Sequence, residues 1–134
     1  MDSYIINFNT FLDRRGALTA IEGCSDIPFE IKRIFYMHHI TDKRGGHAHI
    51  DTDQVLIPIQ GRLRVKLFNG KVEKEYVMDD CTKGLYIPRL YFTDMYDFSP
   101  GTVCLVLSNT HYDMRRSLRS IDAYMLFLKD NGLL

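Results

Sequence analysis

The segment Arg44-Gly45-Gly46-His47-Ala48-His49 gathers the chain's densest set of reactive side chains into one short stretch. On a β-strand, residues i and i+2 point to the same face. His47 and His49 therefore converge on one spot, with Cβ atoms roughly 7 Å apart, while Ala48 points the other way. An imidazole has an unperturbed pKa of about 6.5 and exchanges protons near neutral pH. Two of them on one face divide acid and base duties between neighbouring atoms of a substrate; the same pair also suits a metal ion. The two glycines let the backbone turn sharply and bring Arg44 to the same mouth, where a guanidinium pairs with anionic oxygens in bidentate fashion. Arg33 and Tyr36, on the preceding strand, are read as lining that mouth too. Gln54, five residues after His49, is read as a hydrogen-bond partner for a ligand hydroxyl or a histidine, or as a satisfied core amide. His38 and His39 close a strand before a loop, and His111 sits in the turn Asn109-Thr110-His111; all three are read as lying outside the site.

The elements that position these residues are short and of β type. Tyr4 to Phe8, Ala17 to Glu22, Ile31 to His39, Gln54 to Ile59, Arg62 to Phe68, Lys71 to Met78, Leu85 to Pro88, Tyr91 to Phe98 and Thr102 to Ser108 follow one another with turn signals between them. Leu63, Val65 and Leu67 alternate with Arg62, Arg64 and Lys66, and Asn69-Gly70 predicts a type I′ hairpin turn. Only the tail has helical spacing, in Leu118, Ile121, Met125 and Leu128. Many strands followed by one helix predict an all-β sandwich or barrel. The 134 residues are one domain's worth. Lys plus Arg and Asp plus Glu each number 17, a balance that argues against a nucleic-acid scaffold. The longest apolar runs, Val103 to Leu107 and Tyr124 to Leu128, are far short of a membrane span of roughly 20 residues. The start, MDSYIINF, has no secretory pattern. Cys24, Cys81 and Cys104, without a CxxC, are read as reduced thiols, and the expected compartment is the cytoplasm. No GxGxxG or GxxxxGK[ST] is present.

The spacing HxH, four residues, Gln54, six residues, Gly61 resembles the first motif of the cupin superfamily, with Gln where Glu is usual. The resemblance implies a double-stranded β-helix (jelly-roll) barrel, one cupin domain over residues 1–134, closed by a short C-terminal helix. The second cupin motif falls around Gly84-Leu85-Tyr86-Ile87-Pro88, with Thr93 where the next histidine is expected. Two imidazoles, an amide and a hydroxyl make a poor transition-metal site, so no metal is expected. The stretches Asp13-Arg14-Arg15-Gly16, Ile27-Pro28-Phe29, Ile31-Lys32-Arg33, Arg44 to His49, Gly84-Leu85-Tyr86 and Asp97-Phe98-Ser99 narrow the resemblance to the dTDP-4-keto-6-deoxy-D-glucose 3,4-ketoisomerase family.

That resemblance implies an isomerase without cofactor, acting on a dTDP-linked keto sugar in the biosynthesis of 3-amino-3,6-dideoxy sugars for cell-surface glycans. It implies His47 as main base and His49 as its assistant; Arg15, after a polar turn, is read as reaching the sugar, and Arg33, Tyr36, Arg44, Gln54 and Thr93 are read as surrounding the substrate. It also implies a homodimer with exchanged N-terminal strands and no nucleic-acid or membrane partner. Two departures stand out. The family's Trp-His is Phe92-Thr93 here, and its tail Asp-Tyr-Ile-Arg is Arg116-Ser117-Leu118-Arg119, read as a peripheral change. Arg15 matches the galacto-forming pattern, which favours dTDP-3-keto-6-deoxygalactose as product. Competing readings are a cupin that only binds a small ligand, a nucleotide-sugar 3,5-epimerase using Tyr91 or Tyr96 as acid, and a metal-dependent dioxygenase.

Overall fold

The computed structural model describes residues 1–134. In chain order the elements are β1 (Tyr4–Asn7), β2 (Asn9–Asp13), β3 (Gly16–Ala20), β4 (Arg33–Met37), β5 (Arg44–His49), β6 (Gln54–Gln60), β7 (Leu63–Phe68), β8 (Glu73–Met78), β9 (Lys83–Ile87), β10 (Phe92–Tyr96), β11 (Val103–Ser108), β12 (Ser117–Leu118) and α1 (Ile121–Asp130). One five-stranded sheet has the order β1-β9-β6-β11-β4 and a second the order β12-β5-β10-β7-β8. Their inner faces share a core that draws Met37, Leu56, Leu85 and Val106 from the first sheet and Leu63, Val65, Leu67, Met78 and Met95 from the second. This is the jelly-roll barrel expected from the strand pattern and the cupin-like spacing.

Period-2 alternation sets the lining of the barrel. Arg33, Ser108, Gln54 and Ile87 stand side by side on one rung of the first sheet. The rung one pleat further in is Phe35, Val106, Leu56 and Leu85. A mostly polar mouth thus gives way to an apolar floor within two residues of each strand. The outer face of this sheet, with Val55, Ile57, Tyr86 and Leu107, is covered by Phe8, Ile27 and Phe29.

Three local expectations change. Residues 9–13 form a strand that the sequence pattern left unassigned; it pairs with β3 as a separate hairpin. The Asn69-Gly70 turn is not the two-residue type I′. Phe68 pairs with Glu73, so residues 69–72 form the loop. Asn69 Oδ1 accepts from the Lys71 and Val72 N–H groups, and Gly70 takes positive φ while Asn69 does not. An Asx-type cap has replaced the second left-handed residue. Leu118 belongs to β12 rather than to the helix, which starts at its cap Ser120, whose side chain accepts from the Ala123 N–H.

The helix α1 closes the back of the second sheet. Tyr124 and Leu128 pack on Ala48 and Phe92, behind the strands that carry the histidines and Thr93. The Tyr124 hydroxyl lies 2.6 Å from the Leu90 carbonyl and 3.0 Å from that of Phe68. Tyr124→Phe keeps the packing but removes this donor from a buried position. It is expected to cost about 1–2 kcal/mol, or roughly 3–6 °C in Tm; thermal melting of the two proteins checks it.

Candidate active site

His47 and His49 face into the barrel because Ala48, between them, is buried against α1 on the other side. Their rings meet edge to face with centroids 4.9 Å apart. His47 is registered against Thr93 on β10, and His49 against Ser117 on β12. The Gly pair has a steric cause as well as a conformational one. Gly45 has φ +94°, and a Cβ there would sit 2.5 Å from the Thr93 carbonyl oxygen, next to the bulge between Thr93 and Asp94.

Two cavities meet at this pair. The inner one, about 100 Å³, holds Arg44, His47, His49, Gln54 and Thr93 at its polar end. Its remaining wall is apolar. The outer one, about 410 Å³, shares His49 and Gln54 and carries Arg33, Arg116 and Arg119 together with His111 and Tyr112. Gln54 Nε2 is 3.5 Å from His49 Nε2 and 3.4 Å from Ser108 Oγ, so buried Ser108 backs the amide that faces the imidazole. Thr93 donates its hydroxyl to the Tyr91 carbonyl at 3.3 Å. The Arg33 guanidinium lies between the Phe35 and Tyr112 rings, 4.5 and 4.8 Å from their centroids. Such stacking holds the group in place and leaves its edge N–H groups free. Arg116 donates to Asp51 at 2.8 Å, and Arg119 donates to Ser117 Oγ at 3.1 Å.

Burial is the main reason both imidazoles prefer to be neutral. It pushes His49 down to about 4, with the nearby charges of His47, Arg119 and Arg33 acting in the same direction and Asp51 opposing. His47 is also lowered, first by burial; its hydrogen bond with the Gly45 backbone opposes the shift, and the Arg119 charge adds to it. The pair therefore enters any reaction near pH 7 as two neutral bases beside a cationic outer cavity. No group of three or more His, Cys, Asp or Glu side chains is placed to hold a metal ion.

Six of the residues singled out from the sequence meet here: Arg33, Arg44, His47, His49, Gln54 and Thr93. Two do not. Tyr36 is registered with Leu105 on the outer face of β4 and is 63% exposed. It stands an odd number of residues from Arg33, so the pleat that turns Arg33 inward turns Tyr36 outward. Arg15 caps the β2–β3 hairpin, where it is paired with Asp13 and exposed, away from the histidines of its own chain. The tail, by contrast, is not peripheral. After a short 3₁₀ turn at Met114–Arg116, Ser117 pairs with His49, and Arg116 and Arg119 join the outer cavity. The signal for Arg119 was present: it is the one position where this tail and the family's tail agree. His111, read from the sequence as lying outside the site, is exposed but lines the outer cavity.

Comparison with known proteins follows this geometry. The family model described as FdtA, WxcM-like, C-terminal matches residues 1–129. The TDP-4-oxo-6-deoxy-alpha-D-glucose-3,4-oxoisomerase of Aneurinibacillus thermoaerophilus is 36% identical over 130 residues, spanning 96% of this chain and 94% of that protein. The crystal structure of QdtA, a sugar 3,4-ketoisomerase from Thermoanaerobacterium thermosaccharolyticum in complex with TDP, matches with a TM-score of 0.92 at 38% identity, over 96% of each chain. A 3,4-ketoisomerase from Helicobacter canadensis matches with a TM-score of 0.94 at 36% identity, over 97% of this chain and 99% of the other.

The lowered histidine pKa values give a direct test. In an NMR titration of the imidazole resonances, His49 is expected to titrate near pH 4 and His47 below 6.5. The linked stability has a definite sign. Above pH 6.5 the histidines are neutral in both folded and unfolded chains. As pH falls below 6.5 the unfolded chain takes up protons first, so the histidine contribution to stability is lost between about 6.5 and 4. A midpoint at or above 6.5 for His49 would contradict the desolvated site.

Proposed function

The chain belongs to the FdtA (WxcM-like, C-terminal) family, and from that premise we propose that it is a TDP-sugar 3,4-ketoisomerase, built as a single cupin domain, that converts TDP-4-keto-6-deoxyglucose to the 3-keto sugar. One observation carries the reading: two neutral imidazoles stand where a small inner cavity meets an arginine-lined outer one. A nucleoside diphosphate fits the outer cavity, with Arg33 and Arg119 on its phosphates. The sugar then occupies the inner cavity beside the histidines. Its nucleotide charge is met by cations that the protein already holds in place, which supports tight binding with little reorganisation.

The chemistry is redox-neutral within the sugar. The C4 ketone acidifies the C3 proton. His47 removes it, and the electron pair of the C3–H bond becomes the C3–C4 double bond of an enediolate. The C4 oxygen gains a proton, the C3 hydroxyl loses one and becomes the new ketone, and C4 receives a proton from the imidazole system. His49 assists by holding or passing the proton between the neighbouring oxygens. A neutral His47 is the form able to act as base, so its lowered pKa keeps the enzyme competent through neutral pH, with activity lost on acidification below 6.5. The resulting 3-ketone is the electrophile required by an aminotransferase that makes a 3-amino-3,6-dideoxy sugar.

Thr93 stands on the inner cavity where the family usually has an imidazole, and its hydroxyl has room to hold a water facing the enediolate. With Arg15, it supports the galacto product. Phe11, Leu12 and Leu18 on the β2–β3 hairpin and Ile34 and Tyr36 on β4 are large exposed apolar side chains, which favours a homodimer. Exchange of β1, an edge strand on β9 of its own chain, between the two copies would reproduce the same ladder in trans. In such a dimer Arg15, at the hairpin tip, serves the second copy's site.

Incubation with TDP-4-keto-6-deoxyglucose and NMR of the product tests the proposal. The 3-keto sugar in the galacto configuration is expected; substrate recovered unchanged would overturn the reading. His47→Asn is expected to lower turnover at least about 10²-fold with TDP affinity nearly unchanged. Arg119→Ala should weaken TDP about tenfold or more while the residual turnover at saturation stays within a few fold. Calorimetry with TDP and saturation kinetics measure both effects.

A further inference from the structure

The inner cavity is polar at one end only. Beyond Arg44, Gly45, His47, His49, Gln54 and Thr93 its wall is Phe35, Met37, Leu56, Ile87, Met95 and Val106. Five of these come from β4, β6, β9 and β11 of the sheet opposite the histidines, and Met95 comes from β10 beside them. Phe35, Val106 and Leu56 are neighbours on the rung immediately inside the rung of Arg33, Ser108 and Gln54. None of the six wall side chains carries a nitrogen or an oxygen, so this wall offers a ligand hydroxyl no side-chain partner.

The sugar's own geometry decides what meets this wall. In a pyranose ring C1 and C4 lie at opposite ends. The diphosphate on C1 belongs to the outer cavity, so C4 points inward. The proton transfer places C3, one neighbour of C4, against β5 and its histidines. C5 is the other neighbour of C4, and its substituent C6 therefore points away from β5, toward β4, β6 and β11. The only carbon of the sugar without an oxygen is C6. We propose that the apolar rung of Phe35, Leu56 and Val106 is the seat of the C6 methyl group and makes the enzyme selective for 6-deoxy over 6-hydroxy sugars. This rests on the ketoisomerase reading and adds the residues that choose its substrate. A hydroxyl at C6 would lose its water on this wall and find no acceptor there.

The test compares TDP-6-deoxyglucose with TDP-glucose by calorimetry on the wild-type protein, with TDP alone as reference. The 6-deoxy compound is expected to bind at least about tenfold more tightly, the scale on which a dry apolar pocket rejects an added hydroxyl. Affinities within about twofold of each other would overturn the proposal. Val106→Thr keeps the side-chain shape and adds an oxygen to the wall; it should shrink the ratio to about threefold or less with TDP affinity unchanged. An unchanged ratio in the folded variant would overturn the assignment to this rung, and the wild-type ratio decides alone if the variant does not fold. Turnover of TDP-4-keto-6-deoxyglucose by the wild-type protein, measured alongside, separates the two readings. Its absence refutes the isomerase itself, whereas turnover without discrimination at C6 refutes only the methyl seat.

Discussion

The contact between Ala48 and Tyr124 is the constraint on which the site depends. A strand has two faces, and a slip of one residue exchanges them. On β5 the small residue fits under the helix and the two imidazoles do not, so α1 selects the register that turns His47 and His49 inward. Tyr124 extends this control beyond packing. Its hydroxyl ties the end of β7, at Phe68, to Leu90, the residue whose N–H bonds the His49 carbonyl. The helix thus fixes the histidine strand from behind without offering a single atom to the cavity.

The same alternation writes a gradient of polarity down the barrel. At the mouth stand arginines and an amide; one pleat deeper the wall is hydrocarbon. An imidazole at this boundary is partly stripped of water, which disfavours its charged form, and faces guanidinium groups that disfavour it further. Both effects favour the neutral imidazole, the form able to act as a base. The guanidinium groups that depress the pKa are also the ones suited to phosphate, so a bound diphosphate would offset their charge and make the transfer of a proton to the histidine easier. Under the proposed function, binding and basicity are coupled through Arg119, whose charge bears on both imidazoles.

Much of this was legible in the sequence where local pattern carries the information. The i, i+2 histidines, the alternation of Leu63, Val65 and Leu67, and the spacing from His49 to Gln54 and Gly61 depend on nothing beyond the strand period. What escaped depends on contacts distant along the chain. Nothing in Arg116-Ser117-Leu118-Arg119 shows that a two-residue strand there pairs with β5, because so short an element has no period to detect. Ser108 reads as the polar end of an apolar strand until its rung places it behind Gln54. Tyr36 is a different case: the alternation that assigns Arg33 to the mouth also assigns Tyr36 to the outer face, and only its nearness to Arg33 in the sequence points to the site.

The two departures from the family pattern fall on opposite sides of the polarity boundary, and that explains why they carry different weight. At the outer cavity Arg116 replaces an acidic residue, but Asp51 holds its guanidinium at 2.8 Å, so the local charge is balanced within the rim and Arg119 remains beside the histidines. The change is absorbed by a partner across the strand. At the inner cavity no such compensation is available. Replacing an imidazole with Thr93 opens space and removes a titratable group next to His47, and the neighbouring wall is hydrocarbon. The space is polar on the side of Thr93 Oγ1, which already donates to the Tyr91 carbonyl and so presents its lone pairs as an acceptor. Under the proposed isomerase reaction, a water bound there would donate to Thr93 and keep its second proton for the substrate, so the relay would pass from a side chain that titrates to one that does not.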